Sequence, residues 1–239
     1  LIQDAGANVT TAIQDAETVL GVPTVTPDVY PPQHDSALLI DVLRSTGRVP
    51  GNRVADLCTG SGVVGLAAAA SGASDVTALD LSADAVRCAR SNAAAAGLNV
   101  DVHLGSWARA VEFGPFDVVT CNPPYVPFDD GADVVPVAGP STAWNAGRDG
   151  RLVLDPLCEN VPSMLADGGT VLIVQSEFAG IGATVRALRA AGLRADVVAE
   201  QLIPFGPVMS ARAEWLEREG LLPHGRREEW IAVIRGDVR

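Results

Sequence analysis

The run Phe116-Asp117-Val118-Val119-Thr120-Cys121 reads as a buried strand, and Asn122-Pro123-Pro124-Tyr125 ends it. Two consecutive prolines remove two backbone donors and fix two φ angles, so neither a sheet ladder nor a helix interior continues through them. The strand should therefore stop at its carboxyl edge in a stiff, extended loop. Such a loop holds one amide side chain, one backbone carbonyl and one aromatic ring in a set relation. The Asn122 side-chain oxygen and the Pro123 carbonyl can each accept an N–H while Tyr125 packs on a flat face, which suits a planar nitrogen group. A plain strand-ending turn would use the same residues without any chemistry. The rest of the chain decides between the two.

Upstream, Arg53-Val54-Ala55-Asp56-Leu57 is a short strand followed by Cys58-Thr59-Gly60-Ser61-Gly62-Val63-Val64-Gly65, then an Ala-rich helix from Leu66 to Ala70. Strand, glycine turn and helix together bring backbone close to a nucleotide-like ligand. Gly60, Gly62 and Gly65 also match dinucleotide spacing, a weak signal alone. The charges point away from a pyrophosphate. Asp56 stands just before the turn, where its charge is expected to face the ligand, and the nearest cation, Arg53, is at the far end of the strand. A carboxylate there suits a cationic ligand with an amino group, such as the methionine part of S-adenosylmethionine.

A second strand, Asp75 to Asp80, ends in a carboxylate where ribose hydroxyls would be gripped. Asp80 would equally serve as a helix N-terminal charge, because Ser82 can cap a helix from Ser82 to Ala96. A third strand, Val100 to Leu104, leads into Gly105-Ser106-Trp107. That turn can set Ser106 and Trp107 beside an adenine, although Trp107 as a partly buried edge aromatic fits as well.

With these pieces in order, the chain resembles the class I S-adenosylmethionine-dependent methyltransferases, specifically the HemK/PrmC-type glutamine N-methyltransferases. The matching segments are Asp56-Leu57-Cys58-Thr59-Gly60-Ser61-Gly62, Val76-Thr77-Ala78-Leu79-Asp80-Leu81-Ser82, Gly105-Ser106-Trp107 and Asn122-Pro123-Pro124-Tyr125, within residues 28–178. Val29-Tyr30-Pro31-Pro32-Gln33-His34-Asp35-Ser36 resembles the segment that closes over the cofactor, and Trp144 to Arg151 resembles the small-residue stretch after the Asn-Pro-Pro-Tyr loop. The resemblance implies cofactor contacts at Asp35, Ser36, Asp56, Thr59, Gly60, Gly62, Asp80, Leu81, Ser106, Trp107 and Asn122. Asn122, Pro123 and Tyr125 would be catalytic. It also implies a small activating subunit in the short members of the family. Cys58 departs from the pattern, standing where a glycine is usual. Fewer than thirty residues precede Tyr30, so a release-factor substrate does not follow from resemblance alone.

The implied fold is α/β and Rossmann-like: a seven-stranded, mostly parallel sheet with an antiparallel last strand and helices on both faces. Helices are expected over Ser36–Arg44, Leu152–Ala166 (ending at Asp167-Gly168-Gly169) and Ile181–Ala191. Strands are expected over Thr170–Val174, Ala195–Ile203 and Glu229–Arg235, the last two as an antiparallel pair. Residues 1–27 read as an N-terminal extension and 28–239 as one methyltransferase domain. Insertions near 127–147 and 204–227, the second with a helix over Ser210–Glu219, should lie where substrate enters.

A net charge of −12 counts against phosphate-driven nucleic-acid binding, and all 17 basic residues are Arg. Cys58, Cys88, Cys121 and Cys158 form no C-x-x-C pair and the three histidines are scattered, so no metal site is expected; His34 is the one near the suspected site. No apolar run is long enough to span a bilayer and residues 1–20 carry no signal-peptide pattern, which reads as cytoplasmic. The expected reaction is in-line methyl transfer to a planar nitrogen, first a protein glutamine amide. A small metabolite with an amide, guanidine or amine nitrogen is the alternative, then a nucleobase amine. A non-catalytic cofactor binder and a dinucleotide oxidoreductase complete the field.

Overall fold

Near-continuous buried runs in the central strands build a single sheet covered on both faces. The computed structural model describes residues 25–128 and 139–239. The chain runs α1 (His34–Ser45), β1 (Arg53–Leu57), α2 (Val63–Ala70), β2 (Asp75–Asp80), α3 (Ala83–Ala96), β3 (Asp101–Leu104) and β4 (Phe116–Cys121), with a 3-10 turn over Trp107–Glu112. It continues through α4 (Leu154–Asn160), β5 (Leu165–Ser176), α5 (Ile181–Ala190), β6 (Arg194–Pro204), α6 (Pro207–Arg218) and β7 (Glu228–Asp237). The seven strands lie in the order β3-β2-β1-β4-β5-β7-β6. β7 runs antiparallel to both β5 and β6, and the other pairings are parallel.

In β4, neighbouring residues point opposite ways. Val118 joins Val54, Val76 and Leu172 beneath Leu39 and Leu43 of α1 and Val64 and Ala67 of α2. Val119 joins Ala55, Leu79 and Ile173 beneath Leu157 of α4 and Leu188 of α5. The period of two thus feeds two helical layers, as the sequence pattern implied.

The chain winds outward from β1 to β3, then returns to begin the other half at β4. The switch point therefore falls between β1 and β4, and open α/β sheets place ligands outside the carboxyl ends of such strands. Leu57 pairs with Cys121 in register, so Cys58 and Asn122 leave the sheet side by side.

One expectation fails here. The helix expected over Leu152–Ala166 is shorter, Leu154–Asn160 with a 3-10 turn over Val161–Met164, and Asp167-Gly168-Gly169 lies inside β5. β5 pairs with β4 at Leu165 and again at Thr170, with a register shift between Phe116 and Val118 that absorbs the glycines. Gly168 takes φ +70°, and a Cβ on Gly169 would meet the Phe116 carbonyl at 3.0 Å, so the bulge needs residues that usually mark a helix end. The helix expected over Ser210–Glu219 begins earlier, with Pro207 in its first turn. Residues 1–24 of the expected N-terminal extension and 129–138 of the first insertion lie outside the described residues.

Candidate active site

The glycine turn is shaped from within by Asp56. Its carboxylate is buried (2 % exposed) and accepts from Thr59 Oγ1 (2.5 Å), the Gly65 N–H (2.9 Å) and Thr120 Oγ1 (3.0 Å). Burial pushes its pKa up to about 6, against the pull of those donors. The expected orientation toward the ligand is therefore corrected. Asp56 turns into the loop because three donors converge on it there, and it ties β1, the glycine turn and β4 together. Gly62 takes φ +87° and packs on Ala89, where a Cβ would come to 3.0 Å. Asp56, Thr59 and Gly62 are the frame of the turn, and Gly60 is the member that lines the neighbouring cleft.

Cys58, which stands where a glycine is usual, has a glycine-like backbone. It is the only described non-glycine residue with positive φ, at 58°, which explains why a glycine suits this position.

Beyond the turn lies a cleft of about 440 Å³ lined by Gly60, Asp80, Leu81, Ser106, Trp107 and Asn122, among others. Six of the sequence-derived cofactor residues thus meet on one wall. Asp80 stands at the end of β2, its two oxygens accepting from the Gly60 N–H and the Ser82 N–H, each at 2.8 Å. Burial raises its pKa, opposed by those backbone donors. Ser82 also caps α3 through Ala85, as its position suggested. A strand-end carboxylate suits a ribose diol, an exposed Leu81 and Trp107 offer apolar faces to a base, and the open side of Gly60 leaves room for backbone approach. These residues fit S-adenosylmethionine.

A second hollow of about 90 Å³ adjoins the first and shares Tyr30, Asn122 and Ala143 with it. Asn122, Pro123 and Tyr125 line it from β4, Asp35 from α1, Ile203 and Glu229 from the β6–β7 hairpin, and Val208 and Met209 from α6. The second insertion thus supplies Gly206, Val208 and Met209 to the lining of this hollow. Tyr30 packs against Trp144 with ring centroids 5.5 Å apart.

Asp35 and Ser36 were expected on the cofactor. The structure places Asp35 on this smaller hollow and gives both residues another task. Asp35 Oδ1 accepts from the Ser36 N–H at 2.6 Å and more distantly from the Ser36 hydroxyl, while Oδ2 accepts from Tyr125 at 2.7 Å. Ser36 Oγ in turn accepts from Asn122 Nδ2 at 3.3 Å. The direction of this chain is set by the carboxylate, which only accepts. Ser36 donates to it, so Asn122 commits its NH2 group to Ser36 and keeps its oxygen as an acceptor. Burial, followed by the charge of Asp35, holds the Tyr125 phenol well above its ordinary pKa.

Sequence reasoning missed Glu229 as a pocket residue, while Tyr30 belongs to the segment expected to close over the cofactor and lines both hollows. Glu229 is a buried charge beside the exposed Glu228 at the start of β7, and nothing local in the sequence tells the two apart. It also missed Arg212 of α6, which is 3 % exposed and donates to the Pro127 carbonyl (2.8 Å) and to Asn145.

The family description "Methyltransferase small domain" matches residues 32–138. A putative protein N5-glutamine methyltransferase of Methanocaldococcus jannaschii is 31% identical over 187 residues, covering 78% of this chain and 92% of that one. The chain belongs to the HemK/PrmC-type glutamine methyltransferases. It is therefore an S-adenosylmethionine-dependent N-methyltransferase. The release factor glutamine methyltransferase of Deinococcus radiodurans is 37% identical over 163 residues, 67% of this chain but 58% of that relative. This chain thus spans little more than half the length of that bacterial relative. Among solved structures, the Mtq2–Trm112 complex of E. cuniculi, described as methylating the termination factor eRF1, shares the fold. Its TM-score is 0.60 at 21% identity, covering 89% of this chain and 99% of that one. Among the described residues no helix is long and apolar enough to cross a membrane, and all four cysteines are free thiols.

Proposed function

We propose that this methyltransferase acts on the side-chain amide of a glutamine in a protein, with a translation release factor as the substrate class. The observation that carries this reading is the polarity of Asn122. Its NH2 group donates to Ser36, which leaves its oxygen as the acceptor, and Asn122 and Pro123 both line the small hollow, where that oxygen and the Pro123 carbonyl would act as a pair of acceptors. A carboxamide NH2 offers two donors in one plane, which such a pair matches.

The cofactor supplies an electrophilic methyl group when bound in the larger cleft. What this chain adds is position and charge. An amide nitrogen is a poor nucleophile because its lone pair is shared with the carbonyl. Asn122 and Pro123 hold it by both N–H groups and aim it across the shared boundary at the cofactor cleft, while accepting the positive charge that grows on it. The prolines fix the corner, and Asp35 fixes the Asn122 amide through Ser36, so the geometry is set before substrate arrives.

The relatives named for release factors support the substrate class, and a release-factor substrate puts the reaction in the cytoplasm, where translation ends. The same proposal treats residues 28–239 as the catalytic unit. The reading is tested by incubating the full chain with labelled S-adenosylmethionine and the organism's release factors, alone and with a small partner subunit. Mass spectrometry should find one added methyl on a glutamine. Label appearing instead on a small amide, guanidine or amine in a metabolite extract would overturn the protein substrate.

A further inference from the structure

Each N-methylation sheds a proton, and the groups that hold the acceptor nitrogen are not built to keep it. Asn122 and Pro123 are neutral acceptors. Tyr30 and Tyr125 are phenols whose pKa values are raised by burial and by Asp35, Tyr30 to about 12, so both are already protonated at neutral pH. Asp35 has both oxygens engaged, one by Ser36 and one by Tyr125.

Glu229 remains. It follows Glu228 at the start of β7, is 4 % exposed, and lines the same hollow as Asn122 and Pro123. The Ser176 hydroxyl from the end of β5 donates to its carboxylate and fixes its orientation. The charged groups acting on it come from three sides. Asp35 on α1 and Glu177 after β5 disfavour its ionisation, while Arg226 favours it but is itself paired with Glu177. Burial is the largest effect, and the balance pushes its pKa up to about 7. His34 also lines the hollow.

We propose that Glu229 is a catalytic residue whose carboxylate receives the proton leaving the acceptor nitrogen. This rests on the glutamine reading above. The nitrogen lone pair forms the new N–C bond and the S–C bonding pair departs with sulfur, which becomes neutral. The N–H pair stays on nitrogen as its proton moves to a Glu229 oxygen and from there to solvent. A carboxylate that titrates near neutrality can both take that proton and release it within a turnover, which is the condition for an efficient general base.

The test measures turnover against pH for the wild type, Glu229→Gln and Ser176→Ala, with S-adenosylhomocysteine affinity by calorimetry as the check on folding. The wild type should lose activity on the acid side near pH 7. Glu229→Gln should fall about a hundredfold at pH 8 and lose that acid limb, with affinity for S-adenosylhomocysteine unchanged. Ser176→Ala removes a donor that favours the carboxylate, so its acid limb should move to higher pH. Wild-type turnover and an intact acid limb in Glu229→Gln would overturn the proposal and hand the limb to another group, His34 included. If the wild type binds S-adenosylhomocysteine yet methylates no glutamine, the substrate reading falls instead. Glu229 is then judged by infrared titration of that complex: a carboxylic-acid band near neutral pH that Glu229→Gln abolishes supports its role, and no such band ends it.

Discussion

The Tyr125 hydroxyl donates to Asp35 Oδ2 at 2.7 Å, across 90 positions of sequence, and so ties the proline corner to the first turn of α1. Through Ser36, the same carboxylate governs which way the Asn122 amide faces. Tyr125→Phe keeps the ring and removes the tie. A hydrogen bond to a charged group contributes about 1.5–3 kcal/mol, so turnover should fall roughly tenfold or more if the lost bond is felt in the transition state. S-adenosylhomocysteine affinity should stay level, because Tyr125 does not line the larger cleft. Equal losses in affinity and turnover would show that the tie supports the whole site rather than the corner.

Asn122→Ala removes one of the two acceptors at the small hollow. Turnover should fall by about a hundredfold or more, with cofactor affinity changed only a few-fold. Single-turnover methylation of a glutamine substrate measures the first and calorimetry the second. Unchanged turnover would remove Asn122 from the chemistry.

Asp80→Ala should do the reverse. The carboxylate that orders Gly60 and Ser82 faces the cofactor cleft, so its loss should weaken S-adenosylhomocysteine binding about tenfold or more by calorimetry. Full affinity in this variant would mean that ribose is held elsewhere.

These residues divide by how local their signal is. That Asp80, Gly60 and Asn122 would stand together at one sheet edge was legible because a strand end, a glycine turn and a double proline each fix their neighbours within a few positions. The alternating order of strands and helices likewise announced two covered faces, which Val118 and Val119 fill from opposite sides. Asp56 was found in sequence but turned the wrong way, because its direction depends on Thr120 from a strand 64 positions later. The start of β5 was hidden for a similar reason. Asp167-Gly168-Gly169 has the composition of a helix end, and only pairing with β4 turns it into a bulged strand. Glu229 reaches the pocket through the β6–β7 hairpin, and nothing near it in sequence shows that Asp35 lies close by.

Arg212 joins α6 to the segment that follows Tyr125. Its guanidinium donates to the Pro127 carbonyl and Asn145 and lies 4.7 Å from the Phe128 ring centroid. Burial lowers its pKa to about 10, so it stays charged at neutral pH. Arg212→Met keeps most of the volume but leaves two acceptors without their donor. Stability to urea should drop by about 2–4 kcal/mol, and KM for the protein substrate should rise while S-adenosylhomocysteine affinity holds. An unchanged KM would detach α6 from substrate binding.

Two buried carboxylates make stability fall as pH rises. Asp56 is raised from 3.8 to about 6 and Glu229 from 4.5 to about 7, in both cases mainly by burial. A raised folded-state pKa means that the native protein holds the proton more tightly than the unfolded chain. The stabilisation is complete below the unfolded value and is lost as pH climbs through the folded one. Glu217 has the opposite sign: held down to about 2 chiefly by Arg227, its contribution is complete above the unfolded value of 4.5 and is lost as pH falls from there through the folded one. Between pH 5 and 8 the Glu229 share is on the order of 3 kcal/mol. Glu229→Gln keeps an acceptor for Ser176 without a charge to bury, so urea unfolding should find it more stable than the wild type at pH 8. Near pH 5, where the wild-type carboxyl is already protonated in the folded state, the gap should largely close. A gap that is constant with pH would mean that Glu229 does not titrate in this range.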